Sequence, residues 1–285
     1  MSAADVKAVD GNAVDGSAQR EKARLLRELH RPGEPLVLAN AWDVPSARLV
    51  ADAGARAVAT ASASVSWSLG CADGGGADRE QVLARTAQIV RAVDLPVTAD
   101  LESGFADTAA GVGETITALL ATGAVGVNLE DEGRPVAEAA ERIAAARAAA
   151  DAAGVPLYVN ARTDVYLRGI GAPEGRLDDA VQRLRAYLAA GADGVFVPGV
   201  SDPETIAALA EAVPAPLNVM AGPTTLSVAE LAKLGVARIS LGPGLAEAAY
   251  AAVRRAAEEV YRSGTYTALA DGLSYPELNR LSSAD

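Results

Sequence analysis

Eight short, Val-rich segments alternate with longer segments rich in Ala, Leu and Arg over most of this chain. Within the short segments the apolar residues are mostly continuous rather than alternating with polar ones, which is typical of parallel strands covered by helices. Glycines such as Gly54, Gly123 and Gly191 stand just before a strand, where helices commonly end. The predicted strands are Pro35–Asn40, Arg56–Ala61, Leu95–Asp100, Ala124–Glu130, Pro156–Arg162, Gly194–Pro198, Pro216–Met220 and Ala237–Gly242.

Eight strand-then-helix units fit a closed (β/α)8 TIM barrel, an α/β fold that commonly takes about 250 residues. An open, doubly wound sheet is the alternative, but it usually has fewer strands and often a Gly-rich phosphate loop, which this sequence lacks. We predict a mostly disordered tail over residues 1–20 and a barrel domain over residues 21–262. Residues 263–285 are predicted to form an additional C-terminal helical tail, packed on the same subunit or swapped onto a neighbouring one.

The composition of the chain argues against several kinds of partner and site. Asp and Glu outnumber Lys and Arg by 37 to 25, the net charge is −12, and there is no basic tract, so nucleic acid and anionic membranes are poor candidates. The single cysteine, Cys71, excludes an intramolecular disulfide, and the single histidine, His30, excludes a zinc site of several histidines. His30 precedes the first strand and is predicted to lie on the surface, at the end of the barrel where the strands begin.

The apolar segments are too short to cross a membrane. None approaches the roughly 20 residues that a transmembrane helix needs, and the N-terminal residues lack the apolar core of a signal peptide. We therefore predict a cytoplasmic protein.

Several predicted strands end in charged or polar residues. In a barrel the carboxyl ends of the strands form the rim that carries the active site, so these side chains are expected to share one space. Clustered carboxylates repel one another unless a cation lies among them, which indicates a divalent metal. The rim residues are Asn40, Trp42, Asp43, Ser62, Ser64, Asp73, Asp100, Glu102, Glu130, Asp131, Arg162, Asp164, Asn218 and Met220.

The residue types at this rim indicate a particular chemistry. Mg²⁺ prefers oxygen ligands and keeps several waters, so one or two carboxylates can hold it, and Mn²⁺ is the alternative ion. Such an ion can chelate an α-oxo or α-hydroxy carboxylate and stabilise an enolate, while Arg162 binds a carboxylate through its planar guanidinium. The structural alternative is that Asp100 or Glu130 caps a helix, and Asp164 is more typical of a cap than of a catalyst.

Three motifs resemble the isocitrate lyase/phosphoenolpyruvate mutase superfamily: Asp100–Phe105, Leu129–Asp131 and Asn160–Asp164. Asn40–Asp43 and Ala190–Pro198 support the resemblance, which runs in order over residues 36–257. It implies a (β/α)8 barrel, Mg²⁺ and a 2-oxo or 2-hydroxy carboxylate ligand. It also implies a homo-oligomer, a dimer or a tetramer, in which a C-terminal helix is exchanged between subunits.

The resemblance also implies roles for individual residues. Asp100 matches the metal-coordinating aspartate, and Glu102 and Glu130 match acidic residues around the metal and its waters. The implied metal-binding set is thus Asp100, Glu102 and Glu130, and the implied catalytic set is Arg162, Glu130 and Asp73. The implied substrate-binding set is Trp42, Asp43, Ser62, Arg162 and Asn218.

The segment after the fourth strand departs from the family pattern. Lyases of the family carry a gating loop with a Lys-Arg-Cys-Gly-His-like sequence there, but this chain reads Glu132–Val136 and enters a helix near Ala137. This departure argues against (methyl)isocitrate lyase proper and against phosphoryl transfer, whereas the metal-binding and ligand-binding residues match the family. We expect a Mg²⁺-dependent lyase that cleaves a C–C bond beside an α-oxo or α-hydroxy carboxylate, similar to 2-methylisocitrate lyase or to oxaloacetate decarboxylase. The alternatives are a phosphonomutase or other P–C bond enzyme, and a non-catalytic barrel that binds a carboxylate.

Overall fold

The computed structural model describes residues 16–283, which form a barrel of eight parallel strands. Each predicted strand is present but shorter than expected, and the second is only two residues long. The sheet order is β1-β8-β7-β6-β5-β4-β3-β2, as the predicted (β/α)8 fold requires. The strands are β1 (Leu36–Leu38), β2 (Val58–Ala59), β3 (Val97–Asp100), β4 (Gly126–Glu130), β5 (Tyr158–Arg162), β6 (Gly194–Val197), β7 (Leu217–Met220) and β8 (Arg238–Ser240).

The barrel closes just beyond β1, where the chain bonds to the strands on both sides. Ala41 N donates to Ala59 O at 2.8 Å, and a parallel bridge joins Ala41 to Thr60. Asn40 completes the closure, because its Nδ2 donates to Thr60 O at 2.8 Å and its Oδ1 accepts from Leu241 N at 3.0 Å. One buried side-chain amide therefore ties the first strand to both neighbouring segments.

Helices surround the barrel and follow the strands in the expected alternation. Local capping fixes where several of them begin: Asp43, Asp78 and Ser227 each form a capping box with a residue three positions later. The helices are α1 (Gly16–Glu28), α2 (Val44–Asp52), α3 (Ser62–Ser68), α4 (Arg79–Ala92), α5 (Ala109–Ala121), α6 (Val136–Ala152), α7 (Arg176–Ala189), α8 (Pro203–Ala212), α9 (Val228–Lys233), α10 (Gly244–Ser263) and α11 (Tyr275–Ser282). No helix of the described residues is long and apolar enough to cross a membrane.

The prediction of a disordered tail over residues 1–20 was wrong for its last five residues, and residues 1–15 lie outside the described part of the chain. The helix α1 begins at Gly16 and buries Ala23 and Leu26 against the barrel. Gln19 anchors the helix, since its Nε2 donates to Leu120 O at 2.9 Å and to Ala124 O at 3.1 Å. These contacts stabilise the N-terminal turns of a helix that composition alone did not indicate.

The prediction that His30 lies on the surface was also wrong. Its ring is buried and stacks on Tyr158 with the ring centroids 3.9 Å apart, and Nδ1 lies 2.7 Å from Leu26 O. Gly194 makes room for this pair, because a Cβ there would lie 2.2 Å from Tyr158 Oη. Burial, together with Arg238, lowers the pKa of His30 to about 3.

The C-terminal segment contacts its own barrel within this chain. The helix α11 packs on α2, where Arg48 Nη1 donates to Leu281 O at 2.9 Å. Large apolar side chains of α10 are exposed, with Val253 66% exposed and Tyr261 87% exposed. Packing of this helix against a neighbouring subunit stays a prediction, and exposed apolar side chains are the feature that such packing would cover.

We predict that His30 makes the protein lose stability in acid. Unfolded His30 takes up a proton near pH 6.5, whereas folded His30 does so only near pH 3, so the free energy of unfolding falls as pH drops through this window. The slope contributed by one such proton is at most about 1.4 kcal/mol per pH unit. Urea denaturation at pH 7 and pH 5 should show a smaller loss for His30→Phe than for the wild type, and equal losses would contradict the prediction.

We predict that the α10 face mediates self-association. The substitution Val253→Asp places a charge in this apolar surface and should lower the mass measured by size-exclusion chromatography with light scattering. Ala148→Asp adds the same charge at an exposed position of α6 and serves as the control. An unchanged mass for both variants would place the subunit contact elsewhere.

Candidate active site

A cavity of about 190 Å³ opens at the carboxyl end of the strands. Six of the predicted rim residues line it: Asn40, Ser62, Asp73, Asp100, Arg162 and Met220. Its walls combine polar groups with apolar side chains, as is usual for small-molecule sites. The complete lining is Asn40, Ala61, Ser62, Ala63, Asp73, Asp100, Asn128, Arg162, Leu167, Phe196, Met220, Ser240, Gly242 and Pro243.

Asp100 is the carboxylate at the base of this cavity. It ends β3, where its backbone N donates to Thr60 Oγ1 at 2.9 Å and its Oδ2 accepts from Ser62 N at 3.3 Å. Its Oδ1 is buried and has no hydrogen-bond partner among the described residues. Burial raises the pKa of Asp100, although Arg162 opposes the shift. A buried carboxylate oxygen without a partner is costly, so the site is suited to a cation.

Glu102 lies beside Asp100 in a strained turn. Its φ is +50°, in the left-handed region, and Gly104 N donates to Leu101 O at 2.7 Å to close the turn. Glu102 is buried, and its Oε1 also has no partner among residues 16–283. Burial, together with Asp73 and Asp100, raises the pKa of Glu102 to about 7. The neighbouring carboxylates therefore repel one another when charged, and a cation would relieve that repulsion.

Arg162, at the end of β5, is held by two carboxylates. Its Nη1 lies 2.7 Å from Glu130 Oε2, and its Nε lies 2.8 Å from Asp164 Oδ1. Burial opposes the charge of the guanidinium, but the neighbouring carboxylates raise the pKa of Arg162, so it stays protonated. Burial raises the pKa of Glu130 to about 8, against the effect of Arg162. Because Asp164 Oδ1 contacts Arg162 Nε and no helix begins at Asp164, the role of this carboxylate is to orient the arginine rather than to cap a helix.

Asp131 was predicted at the rim but holds the neighbouring loops together. Its Oδ2 accepts from Tyr187 Oη at 2.7 Å and from Arg183 Nη1 at 3.1 Å, and its Oδ1 accepts from Asp164 N at 3.0 Å. These hydrogen bonds, together with those from Gly133 and Thr163, outweigh burial and lower the pKa of Asp131. It is therefore a charged anchor between β4, β5 and α7.

Several predicted site residues lie outside the cavity lining. Asp43 caps α2, where its Oδ1 accepts from Ser46 N at 2.8 Å, and Trp42 packs partly buried against the core. Asn218 is fully buried and donates from Nδ2 to Ser240 Oγ at 3.1 Å. Glu102 and Glu130 are not among the lining residues.

Residues that sequence reasoning did not assign to the site include Asn128, Phe196 and Ser240, all of which line the cavity. Alternation along the strands could have indicated Asn128, since it lies two residues before Glu130 and therefore faces the same side of the barrel. On β8, Ser240 lies two residues after Arg238, so these two side chains also face the same side of the barrel.

The carboxylate oxygens at this site fit Mg²⁺, which keeps several water ligands, better than a metal ion whose ligands all come from the protein. No group of three or more His, Cys, Asp or Glu side chains among residues 16–283 converges on one point. Mg²⁺ tolerates this because it keeps several waters and needs only one or two carboxylates. The unpartnered Asp100 Oδ1 and Glu102 Oε1 supply such oxygens.

The connection from β4 to α6 is short and leaves no room for a gating loop. Only residues 131–135 join the two elements, and Glu132 and Gly133 turn the chain with φ values of +50° and +77°. Arg134, the cation of this turn, pairs with Glu132 and with Glu138 Oε1 at 3.2 Å. The turn therefore offers no free side chain to cover the cavity.

The comparison with known sequences decides the family. The sequence model of the family described as phosphoenolpyruvate phosphomutase matches residues 26–261. The chain belongs to the isocitrate lyase/phosphoenolpyruvate mutase superfamily. This membership confirms the resemblance carried by the strand-end motifs.

The similar proteins span lyases and mutases of this superfamily. An uncharacterized protein of Mycobacterium tuberculosis is 37% identical over 236 residues, which cover 79% of this chain and 86% of that protein. A crystal structure of a lyase/mutase candidate from Burkholderia cenocepacia is 42% identical, with a TM-score of 0.86, and the match covers 94% of this chain and 98% of that one. The 2-methylisocitrate lyase of Bacillus subtilis is 31% identical over 214 residues, which cover 70% of this chain and 67% of that enzyme.

Two further relatives are an oxaloacetate decarboxylase and a phosphonopyruvate hydrolase. An oxaloacetate decarboxylase of a Bradyrhizobium species is 31% identical over 204 residues, covering 68% of this chain and 66% of that enzyme. The structure of a phosphonopyruvate hydrolase in complex with oxalate and Mg²⁺ is 27% identical, with a TM-score of 0.80, and covers 92% of this chain and 94% of that one.

We predict that Asp131→Asn destabilises the fold. It leaves Arg183 buried beside a neutral amide, and breaking a buried pair in this way costs about 3 kcal/mol. Asp179→Asn is the matched control, because Asp179 bonds the same arginine (3.0 Å) from a more exposed position and should cost less than about 1 kcal/mol. Urea denaturation at pH 7 measures both; equal costs would show that Asp131 is not the anchor.

Proposed function

We propose that this protein is a Mg²⁺-dependent lyase that cleaves a C–C bond next to an α-oxo or α-hydroxy carboxylate. The observation that carries the proposal is the buried, unpartnered Asp100 Oδ1 at a cavity that Arg162 also lines, together with the buried, unpartnered Glu102 Oε1 near Asp100. Two oxygens suited to a cation and a guanidinium suited to a carboxylate are the groups that such a substrate requires.

The acidic residues of the site would bind the metal ion and its waters, and Arg162 would bind the substrate. Asp100 would hold the ion directly, with Glu102 and Glu130 orienting its waters, and Mn²⁺ could replace Mg²⁺. Bound there, the ion supplies a positive charge that stabilises an enolate. Arg162, fixed by Glu130 and Asp164, binds and orients the substrate carboxylate. The leaving enolate carbon takes its proton from water, since the short β4–α6 turn brings no acid to the cavity.

The size of the cavity supports a small substrate. A space of about 190 Å³ suits an oxo-acid of a few carbons better than a cofactor-sized ligand. Oxaloacetate decarboxylation and the cleavage of a 2-methylisocitrate-like acid are the two forms of the reaction that the relatives favour.

Phosphoryl chemistry has less support from the same geometry. A phosphonomutase needs a cation or nucleophile near residues 132–136 to hold the migrating phosphoryl group. Arg134 is the cation of that segment, and it is engaged by Glu132 and Glu138. A non-catalytic carboxylate-binding barrel remains the outcome if oxalate binds but no oxo- or hydroxy-acid is cleaved.

We predict that Asp100→Asn abolishes both Mg²⁺-dependent turnover and Mg²⁺-dependent oxalate binding, because it removes the charge that holds the ion. Calorimetry with oxalate, an imitation of the pyruvate enolate, measures binding with Mg²⁺ and again with EDTA. Asp78→Asn is the control, since Asp78 only caps α4 at the surface. Unchanged oxalate binding by Asp100→Asn would refute the assignment of the metal ligand.

A further inference from the structure

An arginine without a carboxylate partner is buried inside the barrel beneath the cavity. Arg238, the first residue of β8, is fully buried, and no described carboxylate forms an ion pair with it. Its Nη2 donates to Asn128 Oδ1 at 3.2 Å, and its Nε donates to Ser240 Oγ at 3.4 Å. Both acceptors line the cavity. Burying a guanidinium without an ion-pair partner is costly, so its position calls for an explanation.

Arg238 determines which way the amide of Asn128 points. A guanidinium can only donate hydrogen bonds, so the Asn128 atom facing it must be the oxygen. Asn160 Nδ2 donates to the same Oδ1 at 2.9 Å, which holds the amide from a second direction. The NH2 group of Asn128 is therefore the end turned toward the cavity, and no residue of the described chain accepts a bond from it.

Asn40 lines the same cavity and shows the contrast. Its Nδ2 donates to Thr60 O and its Oδ1 accepts from Leu241 N, so both ends of that amide serve the closure of the barrel. Of the two asparagines in the cavity wall, only Asn128 therefore has a donor to offer a ligand.

The position of Asn128 indicates what it would bind. Asn128 on β4 is the direct register partner of Asp100 on β3, so a donor lies beside the unpartnered Asp100 Oδ1. A small anion that chelates a cation at Asp100 presents its oxygens to that donor.

We propose that Asn128 donates a hydrogen bond to an anionic oxygen of the carboxylate ligand, and that Arg238 is a positioning residue that fixes the Asn128 amide. The inference rests on the proposed function, because it takes the ligand to be a carboxylate held at Asp100. It adds a specificity-determining donor that favours ligands with two adjacent oxygens, such as α-oxo carboxylates.

The test is oxalate binding by calorimetry at saturating Mg²⁺. A hydrogen bond to a charged group gives about tenfold or more in affinity, so Asn128→Ala should weaken binding by at least that factor. Asn128→Asp keeps the oxygen that faces Arg238 and replaces only the NH2 group, and it should weaken binding at least as much. Arg238→Met should weaken binding through loss of the amide orientation, and Arg238→Lys, which keeps a donor, should recover part of the loss.

The double variant separates a positioning role from an independent one. If Arg238 acts through Asn128, Asn128→Ala combined with Arg238→Met should bind oxalate no more weakly than Asn128→Ala alone. Thr98→Val, which removes a buried hydroxyl without a partner, is the control for loss of an interior polar group and should bind like the wild type.

Two results would overturn the inference while leaving the proposed function intact. Binding by Asn128→Ala within twofold of the wild type would exclude the donor, and additive losses in the double variant would exclude positioning by Arg238. Failure of the wild type to bind oxalate with Mg²⁺ would overturn both proposals, so the two failures are distinguishable.

Discussion

In a closed barrel of parallel strands every second side chain faces an interior that has no room for bulk water, and this constraint governs the rest of the molecule. Here much of that interior is polar rather than filled by branched apolar residues. Asn128, Asn160, Asn218 and Arg238 all point into it and bond to one another or to Ser240. Each must find a partner inside the barrel, which limits the orientations that the next layer, at the cavity, can adopt.

Most of the charged side chains at the carboxyl ends of the strands also have hydrogen-bond or ion-pair partners. Arg162 is held by Glu130 and Asp164, and Asp131 is satisfied by Tyr187, Arg183 and the backbone. Asp100 and Glu102 keep oxygens without protein partners. The described residues also include other buried polar atoms without a hydrogen-bond partner, such as Thr98 Oγ1 and Tyr158 Oη. A carboxylate oxygen attracts a cation more strongly than these neutral groups, so Asp100 and Glu102 mark the candidate metal site.

Much of the architecture could be predicted from the sequence. Continuous Val-rich segments at regular intervals indicated all eight strands, and the strand-end acids located the rim. The alternation of side chains along a strand also indicates that Asn128 faces the same side of the barrel as Glu130. The sequence could not predict which acidic side chains lack an ion-pair partner. Asp131 and Asp164 follow their strands as metal ligands would, but Asp131 forms an ion pair with Arg183 and Asp164 forms one with Arg162. The prediction of a surface position for His30 was wrong because its ring stacks on Tyr158, which is 128 positions later in the chain. Tyr158 occupies the space that the missing side chain of Gly194 leaves.

The sequence by itself determined the fold class, the strand positions and the residue types at the rim, because these depend on local periodicity and on the ends of short segments. Only the tertiary structure decided that α1 begins at Gly16, that His30 stacks in the barrel, and that Asn128 presents its NH2 group to the cavity. These features depend on partners far apart in the chain, such as Arg238 for Asn128 and Leu120 for Gln19. The orientation of an amide is set by which neighbour can donate and which can accept, and that is known only when the strands are side by side.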